Sequence, residues 1–363
     1  MLFGPHVTNL GVRRSISARH VAYYARRAAG GAGVVVTEVA SVHGSDWPYE
    51  RAPLAVDCVD GWAAVARACG PALVLAGLGH AGAQGSSAYG QQALWAPSRV
   101  PDVASREVPM EMEQPEIDAL VAGFASAAAL AARAGCDGVE IDAGQHSLLR
   151  QFLSGLTNHR ADAHGEDRAL LLRLVLAAVR AAIGDGVLGL RLCCDELAPW
   201  AGITPDSAIA TARAVAAWTD YLVPVRGSGM SVSATRPDLH TAPGFNALLC
   251  TPIRPAVGVA DGCAEQRVVL QGSVGDPAAA QTALDDGVCD LVEMTRAQIT
   301  DPDLVAHVRA GTPERIRPCT LSNQRSQVRD PRNPIVSDEA EPDAGHETEV
   351  EEPPPGTLRD VLV

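Results

Sequence analysis

Lysine is missing from this chain of 363 residues: its 29 basic residues are all arginines. Chemistry that needs a lysine amine, such as Schiff-base aldol cleavage or pyridoxal-phosphate catalysis, is therefore excluded. So is a phosphate-binding P-loop, which needs Gly-Lys-Ser/Thr. No CxxC pair occurs among the nine cysteines (58, 69, 136, 193, 194, 250, 263, 289, 319). An odd, scattered set without a framework points to reduced thiols and a cytoplasmic protein. No apolar run approaches the ~20 residues that span a bilayer. The start, MLFGPHVTNLGVRR, lacks the basic-then-apolar order of a signal peptide. The ten histidines show no HxH or HExxH spacing, so a metal site is not expected. No basic stripe stands out, which disfavours nucleic-acid binding.

The formal net charge of −14 is unevenly placed. Residues 338–352 hold eight acidic side chains and no arginine, just before Pro353-Pro354-Pro355-Gly356. Such a segment has little to bury, and a disordered, solvated tail over 336–363 is expected. The folded body is then residues 1–335, and the sequence leaves room for a homo-oligomer.

Strand-like and helix-like patterns alternate through that body. Apolar runs occur at Val34–Thr37, Ala72–Leu78, Gly138–Ile141, Val187–Cys193, Tyr221–Val225, Arg267–Leu270 and Leu291–Met294, with Leu2-Phe3-Gly4 as a further candidate. Ala- and Leu-rich helical patterns separate most of them. Thr204-Pro205-Asp206 and Gly275-Asp276-Pro277 place a cap and a proline at helix starts. Eight strands alternating with helices predict an α/β fold, a (β/α)8 TIM barrel; a doubly wound sheet is the other reading. The long insertions His80–Gln114 and Arg226–Gly244 both follow strands, on the side where a barrel builds its site.

Two groups of residues look chemical. After the run Gly138–Ile141, polar side chains crowd together: Asp142, Gln145, His146 and Ser147. Near the end, Gln271-Gly272-Ser273 and Thr295-Arg296 follow the last two strands. Barrels commonly bind phosphate there. Taken singly these are a turn glycine and a surface arginine; together they favour phosphate. Arg191 sits inside the apolar run Leu188–Leu192, so an anion or a buried carboxylate should face it.

An ordered series of motifs then carries a resemblance. It comprises Arg19-His20 with Tyr23-Tyr24, Gly30-Gly31-Ala32-Gly33 through Glu38, Leu78-Gly79-His80-Ala81-Gly82 and Ala96-Pro97-Ser98. Asp137-Gly138-Val139-Glu140-Ile141, Leu148-Leu149, Gln151-Phe152-Leu153-Ser154 and the series Asn158, Arg160, Asp162, Gly165, Arg168 continue it. Asp290-Leu291-Val292, Arg296, Asp301-Pro302 and Arg317-Pro318-Cys319 close it. The chain resembles the Old Yellow Enzyme (NADH:flavin oxidoreductase) family, in the branch that includes 2,4-dienoyl-CoA reductases. More narrowly, it is similar to members associated with the mycofactocin redox system. The resemblance implies a TIM barrel with FMN across its C-terminal mouth. It implies Pro5, His6, Val7 and Thr8 beneath the flavin, Val39 and Ala40 flanking it, and Gly77 at its pyrimidine edge. Arg191 would face its N1 region, and Gly272, Ser273, Thr295 and Arg296 would hold its phosphate.

The departures from that family concern the reaction. Gly77 stands where a glutamine is usual. Asp142, Gln145 and Ser147 stand where two carbonyl-gripping residues and a proton-donating tyrosine are usual. A carboxylate donates a hydrogen bond only when protonated, and serine is a far weaker acid than tyrosine. His146 is the alternative acid, or Asp142 or His146 a general base in a different oxidation or reduction; a packing role is the other reading of His146. An iron–sulfur cluster is not expected, because its ligand positions read Cys319, Ser322, Ser326 and Asp338. The family's N-terminal hairpin and the branch's pyridine-nucleotide domain are not found, and Met1 reads as a mis-assigned start. Reducing equivalents would come from NAD(P)H at the flavin or from a redox partner. An FMN-dependent oxidoreductase acting on a small organic substrate is the expectation; a degenerate, non-catalytic flavoprotein or binding subunit is the alternative.

Overall fold

In the computed structural model, residues 1–258, 266–326, 328 and 334–349 are described. Eight parallel strands follow one another around a barrel: β1 (Leu2–Phe3), β2 (Val34–Val36), β3 (Leu73–Gly79), β4 (Gly138–Ala143), β5 (Val187–Asp195), β6 (Tyr221–Arg226), β7 (Arg267–Leu270) and β8 (Leu291–Val292). Leu2 bridges Glu293, just past β8, and brings the last strand back to the first. Long helices cover the outside: Ala18–Ala29, Val59–Ala68, Gln114–Arg133, Leu170–Ile183, Pro205–Val215, Ala247–Val257 and Pro277–Asp285. The (β/α)8 reading holds, and the doubly wound alternative does not.

Strand residues alternate between two environments. Outward apolar side chains such as Val35, Val74, Val139, Leu190 and Leu222 pack under the helices in the main core. Inward ones, Leu2, Val36, Leu75, Tyr221, Val223 and Val269 among them, make a smaller apolar plug. Above that plug the inward positions turn polar, and the site begins there.

The expected helix starts are built as read. Thr204 and Ser207 form a reciprocal capping box ahead of Pro205. Asp276 accepts from the Ala278 N–H ahead of Pro277. Helix Ala247–Val257 was not legible, because Pro252 and Pro255 interrupt its pattern. Its buried residues Leu249, Cys250, Ile253 and Val257 nonetheless share one face. Helix Gln114–Arg133 is 20 residues long and apolar enough on average to cross a bilayer, unlike the expectation from run length. Here Ile117, Leu120, Phe124, Ala127, Ala128 and Ala131 are buried on its core-facing side.

The acidic segment departs most from expectation. Val336 and Ala344 are fully buried, and Asp338 is 5% exposed. Low apolar content predicted a solvated tail, but arginines and hydroxyls of the preceding chain receive its carboxylates. The remainder of the predicted tail, 350–363, lies outside the described residues.

Candidate active site

A cleft opens at the C-terminal mouth of the barrel, with about 1120 Å³ of empty space, part of it continuous with solvent. Pro5, His6 and Val7 line it from the loop after β1, and Gln145 and His146 from the loop after β4. Gly272 and Ser273 line it from the turn after β7, and Thr295 and Arg296 from the short helix Thr295–Thr300 after β8. These nine residues, all singled out from sequence, thus share one cavity.

Its phosphate-like end is made of backbone and arginine. Gly272 and the non-glycine Ser273 both have positive φ (133° and 55°), which curls the chain into a concave turn. Arg296 donates to Ser273 Oγ at 2.5 Å, to Pro237 O at 2.7 Å and to Asn323 Oδ1 at 2.6 Å. Burial lowers its pKa, and the more distant Cys319 and Asp238 only partly oppose this. Arg236 enters the same cavity from the insertion after β6, with its Nε buried and unpartnered. Neither arginine is in an ion pair among the described residues. Arg236 was not anticipated: it lies in a long insertion with no strand-end register to flag it.

Beneath the cleft lies a charged layer. Arg191 donates from Nε to Glu140 Oε1 at 2.9 Å and from Nη2 to Glu293 Oε2 at 2.6 Å. Burial alone would lower its pKa, but Glu140 and Glu293 reverse that and hold it above the usual value. Tyr221 donates to Glu140 Oε2 at 2.7 Å, and Thr295 Oγ1 to Glu293 Oε1 at 3.1 Å. Burial raises the Glu140 pKa despite Arg191. The buried carboxylate expected opposite Arg191 is therefore two carboxylates, and Glu293 itself lines the cleft.

The β4 end is where the residues diverge in role. Asp142 pairs in register with Arg191, and its Oδ1 accepts from the Gly144 N–H at 2.8 Å. Desolvation raises its pKa, more than that bond and Arg191 lower it. Gln145 donates from Nε2 to Arg226 O at 2.7 Å. Ser147 is 1% exposed and caps helix Leu148–Leu153, accepting from the Arg150 N–H at 3.0 Å. As a buried cap it is withdrawn from the cleft, contrary to its candidate catalytic role. Thr8 is also withdrawn: it is fully buried, donates its N–H to Glu38 Oε1 at 2.7 Å, and bonds through Oγ1 to His20 at 2.9 Å. Burial pushes the Glu38 pKa up, but bonds and charge from His20, with Thr8 and Tyr49, bring it below its ordinary value. His6 is held between Gly4 O (3.0 Å) and Tyr23 Oη (2.8 Å), and burial lowers its pKa.

Val39 follows β2, Ala40 begins a two-residue strand, Ala40–Ser41, that pairs with Leu78 and Gly79, and Gly77 lies within β3; none of the three is among the residues lining the cleft. Any Cβ at Gly77 would come within 2.5 Å of Thr37 O, so the neighbouring backbone fills the place of a side chain. Of the four positions Cys319, Ser322, Ser326 and Asp338, Cys319 and Ser326 line the cleft. Ser322 bonds to Glu339, and Asp338 accepts from Thr300 Oγ1 at 3.0 Å. Among the described residues no metal-capable cluster exists.

Comparison with known proteins places this geometry. The chain is 31% identical over 350 residues to a metal reductase of Desulforamulus reducens, covering 94% of this chain and 51% of that one. It is 32% identical over 251 residues to an N,N-dimethylglycine/sarcosine dehydrogenase of Chromohalobacter salexigens, covering 63% and 33%. The chain thus spans about half or less of the length of these relatives. An NADPH dehydrogenase of Bacillus subtilis is 27% identical over 290 residues, covering 78% of this chain and 81% of that one. A structure of 2-naphthoyl-CoA reductase with 2-naphthoyl-CoA superposes with a TM-score of 0.88 at 25% identity, over 96% of this chain and 55% of that one. Residues 5–315 match the NADH:flavin oxidoreductase / NADH oxidase family, and the chain belongs to it.

Proposed function

We propose that the chain is an FMN-dependent oxidoreductase that moves hydride between a reduced donor, NAD(P)H or a partner redox system, and a small organic substrate. One observation carries this reading. Two guanidiniums, Arg236 and Arg296, line one cleft and neither is in an ion pair among the described residues, beside the concave Gly272–Ser273 turn. Like charges held together in a partly desolvated place need an anion, and a phosphate monoester supplies two charges and several acceptors. The first turn of helix Thr295–Thr300 adds N–H groups that its own ladder leaves unpaired. Residues Pro5–Val7 form the side of the cleft toward β1, and the Glu140–Arg191–Glu293 layer lies below. Bound there, the flavin supplies the hydride acceptor and donor.

The protein's own share of the chemistry centres on Asp142. Only its Oδ1 is bonded to a protein group among the described residues. A carboxylate with a raised pKa is suited to accept a proton or to face a cation, not to grip a neutral carbonyl. We therefore read the substrate as one that presents an N–H or cationic nitrogen to Asp142. Asp142 would take the nitrogen's proton while the adjacent carbon gives its hydride to the flavin, and the partner redox system in its oxidised form would then take the electrons. The N-methyl amine dehydrogenase among the relatives supports this reading. Ser147 takes no proton in this scheme, and Gln145 and His146, which follow Asp142 in the chain, line the cleft.

No iron–sulfur centre is assigned, since one thiol cannot hold such a cluster; assays for iron and labile sulfide test this. The eight described cysteines are free, which supports a reducing, cytoplasmic setting. The decisive experiment is the visible spectrum of the purified protein with added FMN, then anaerobic addition of NADH, NADPH, N-methylated amines or enones. Flavin bleaching by amines supports the full reading. Bleaching only by nicotinamide, with enone-driven reoxidation, removes the amine assignment. A protein with no FMN affinity removes the oxidoreductase reading.

A further inference from the structure

We infer that the acidic segment 334–349 is an internal clasp that positions the loop after β1 and the helix after β8, the two walls of the cleft. Its composition argues for a solvated tail, yet it bonds to both of those elements as well as to neighbouring arginines. Val336 donates its N–H to Thr8 O at 2.9 Å, and Asn9 Nδ2 donates to Pro334 O at 2.6 Å. Both bonds fix the loop that begins with the cleft residues Pro5–Val7. Thr300, at the far end of the helix carrying Arg296, donates to Asp338 Oδ2 at 3.0 Å. Asp338 Oδ1 in turn accepts from the Ala340 and Glu341 N–H groups at 2.9 and 3.2 Å, so the segment folds around a buried carboxylate.

Arg27 gives the reason for docking. Its side chain is fully buried over the Tyr23 ring, 3.9 Å from the centroid, and its ionic partner is Glu347. A buried guanidinium without a counter-ion is strongly unfavourable, so packing of helix Ala18–Ala29 draws the acidic segment in. Arg27 also donates to Tyr23 O at 3.1 Å and to Gln298 O at 3.4 Å, the latter in the helix after β8. Tyr23 Oη meets His6 Nε2, which lines the cleft. Glu341 pairs with Arg317 and Glu349 with Arg19, closing the clasp at its edges. These residues act through the loop and helix, so they are positioning residues. The flavin arm of the test rests on the proposed function; the exchange arm does not.

Hydrogen exchange on the full chain tests docking directly. The amides of Val336, Ala340 and Glu341 should exchange at least about a hundredfold more slowly than in an unstructured chain; free exchange overturns the clasp. Replacing the fully buried Ala344 with arginine should release the segment while leaving the barrel's circular dichroism intact. In that variant the Thr8 and Asn9 amides and those of residues 298–300 should exchange about tenfold faster, and the FMN dissociation constant should rise about tenfold. The milder pair Glu341→Gln and Glu349→Gln should shift both readouts in the same direction by a few-fold. Unchanged exchange in the loop and helix after release overturns the positioning role. A wild-type protein that protects the segment but binds no FMN refutes the flavin reading, and the exchange data then decide the clasp alone.

Discussion

The cleft and the layer beneath it solve opposite electrostatic problems. At the β7–β8 end, Arg296 is held by neutral acceptors, Arg236 Nε is buried and unpartnered, and neither is in an ion pair among the described residues. In the layer below, carboxylates outnumber cations: Glu140 and Glu293 bond to Arg191, and Asp142 stands beside it in register. The first arrangement is incomplete without an anion. The second is internally paired, with Asp142 left the least satisfied. The first is thus built to hold an anionic group, and the second is suited to proton transfer or to a cation.

Five substitutions would break or sharpen that contrast. Arg191→Met leaves two buried carboxylates facing each other and should destabilise the fold by about 3–5 kcal/mol, read by urea titration. A small change would mean the layer is hydrated rather than paired. Arg296→Ala removes a charged donor from the anion end and should weaken FMN binding by about 1.5–3 kcal/mol, roughly 10- to 100-fold. Unchanged flavin fluorescence titrations would take Arg296 out of the phosphate site, and Arg236→Ala should follow in the same direction.

Asp142→Asn should flatten the acid limb of the pH profile for substrate-driven flavin reduction. In the wild type that limb rises with pH as the carboxyl ionises, at a midpoint above the ordinary aspartate value because burial raises it. The stability effect has a definite sign. A folded-state pKa above the unfolded one means the folded protein binds the proton more tightly. The ionised group therefore subtracts stability at neutral pH, and that loss disappears as pH falls through the folded value. The asparagine variant should be at least as stable as the wild type at pH 7. A pH limb that survives in it would move the base elsewhere, with His146 next. Ser147→Ala should cost only about 1 kcal/mol of stability, as a lost helix cap. Its rate of hydride transfer should be unchanged; a large kinetic loss would return Ser147 to the chemistry.

The legible part of the site was the part whose chemistry is local. Gly272, Ser273, Thr295 and Arg296 lie at strand ends, where position in an alternating pattern already fixes the side of the barrel. Asp142 follows Glu140 by two residues, so both project inward from one strand. Ser147 misled because a polar residue near a strand end reads the same whether it faces a substrate or caps a backbone. The choice was made by the Arg150 N–H. Arg236 was invisible because its insertion carries no periodicity.

The sequence by itself determined the alternation of eight strands with helices and the ends at which polar residues gather. These follow from alternation of period 2 and period 3.6 and from capping chemistry, which act over a few residues. Only the tertiary structure decided which charges meet. Arg191 finds Glu293 across 102 residues, and Arg27 finds Glu347 across 320. Composition alone left the acidic segment in solvent. Its docking depends on a buried guanidinium that needs a partner, and no local pattern records that need.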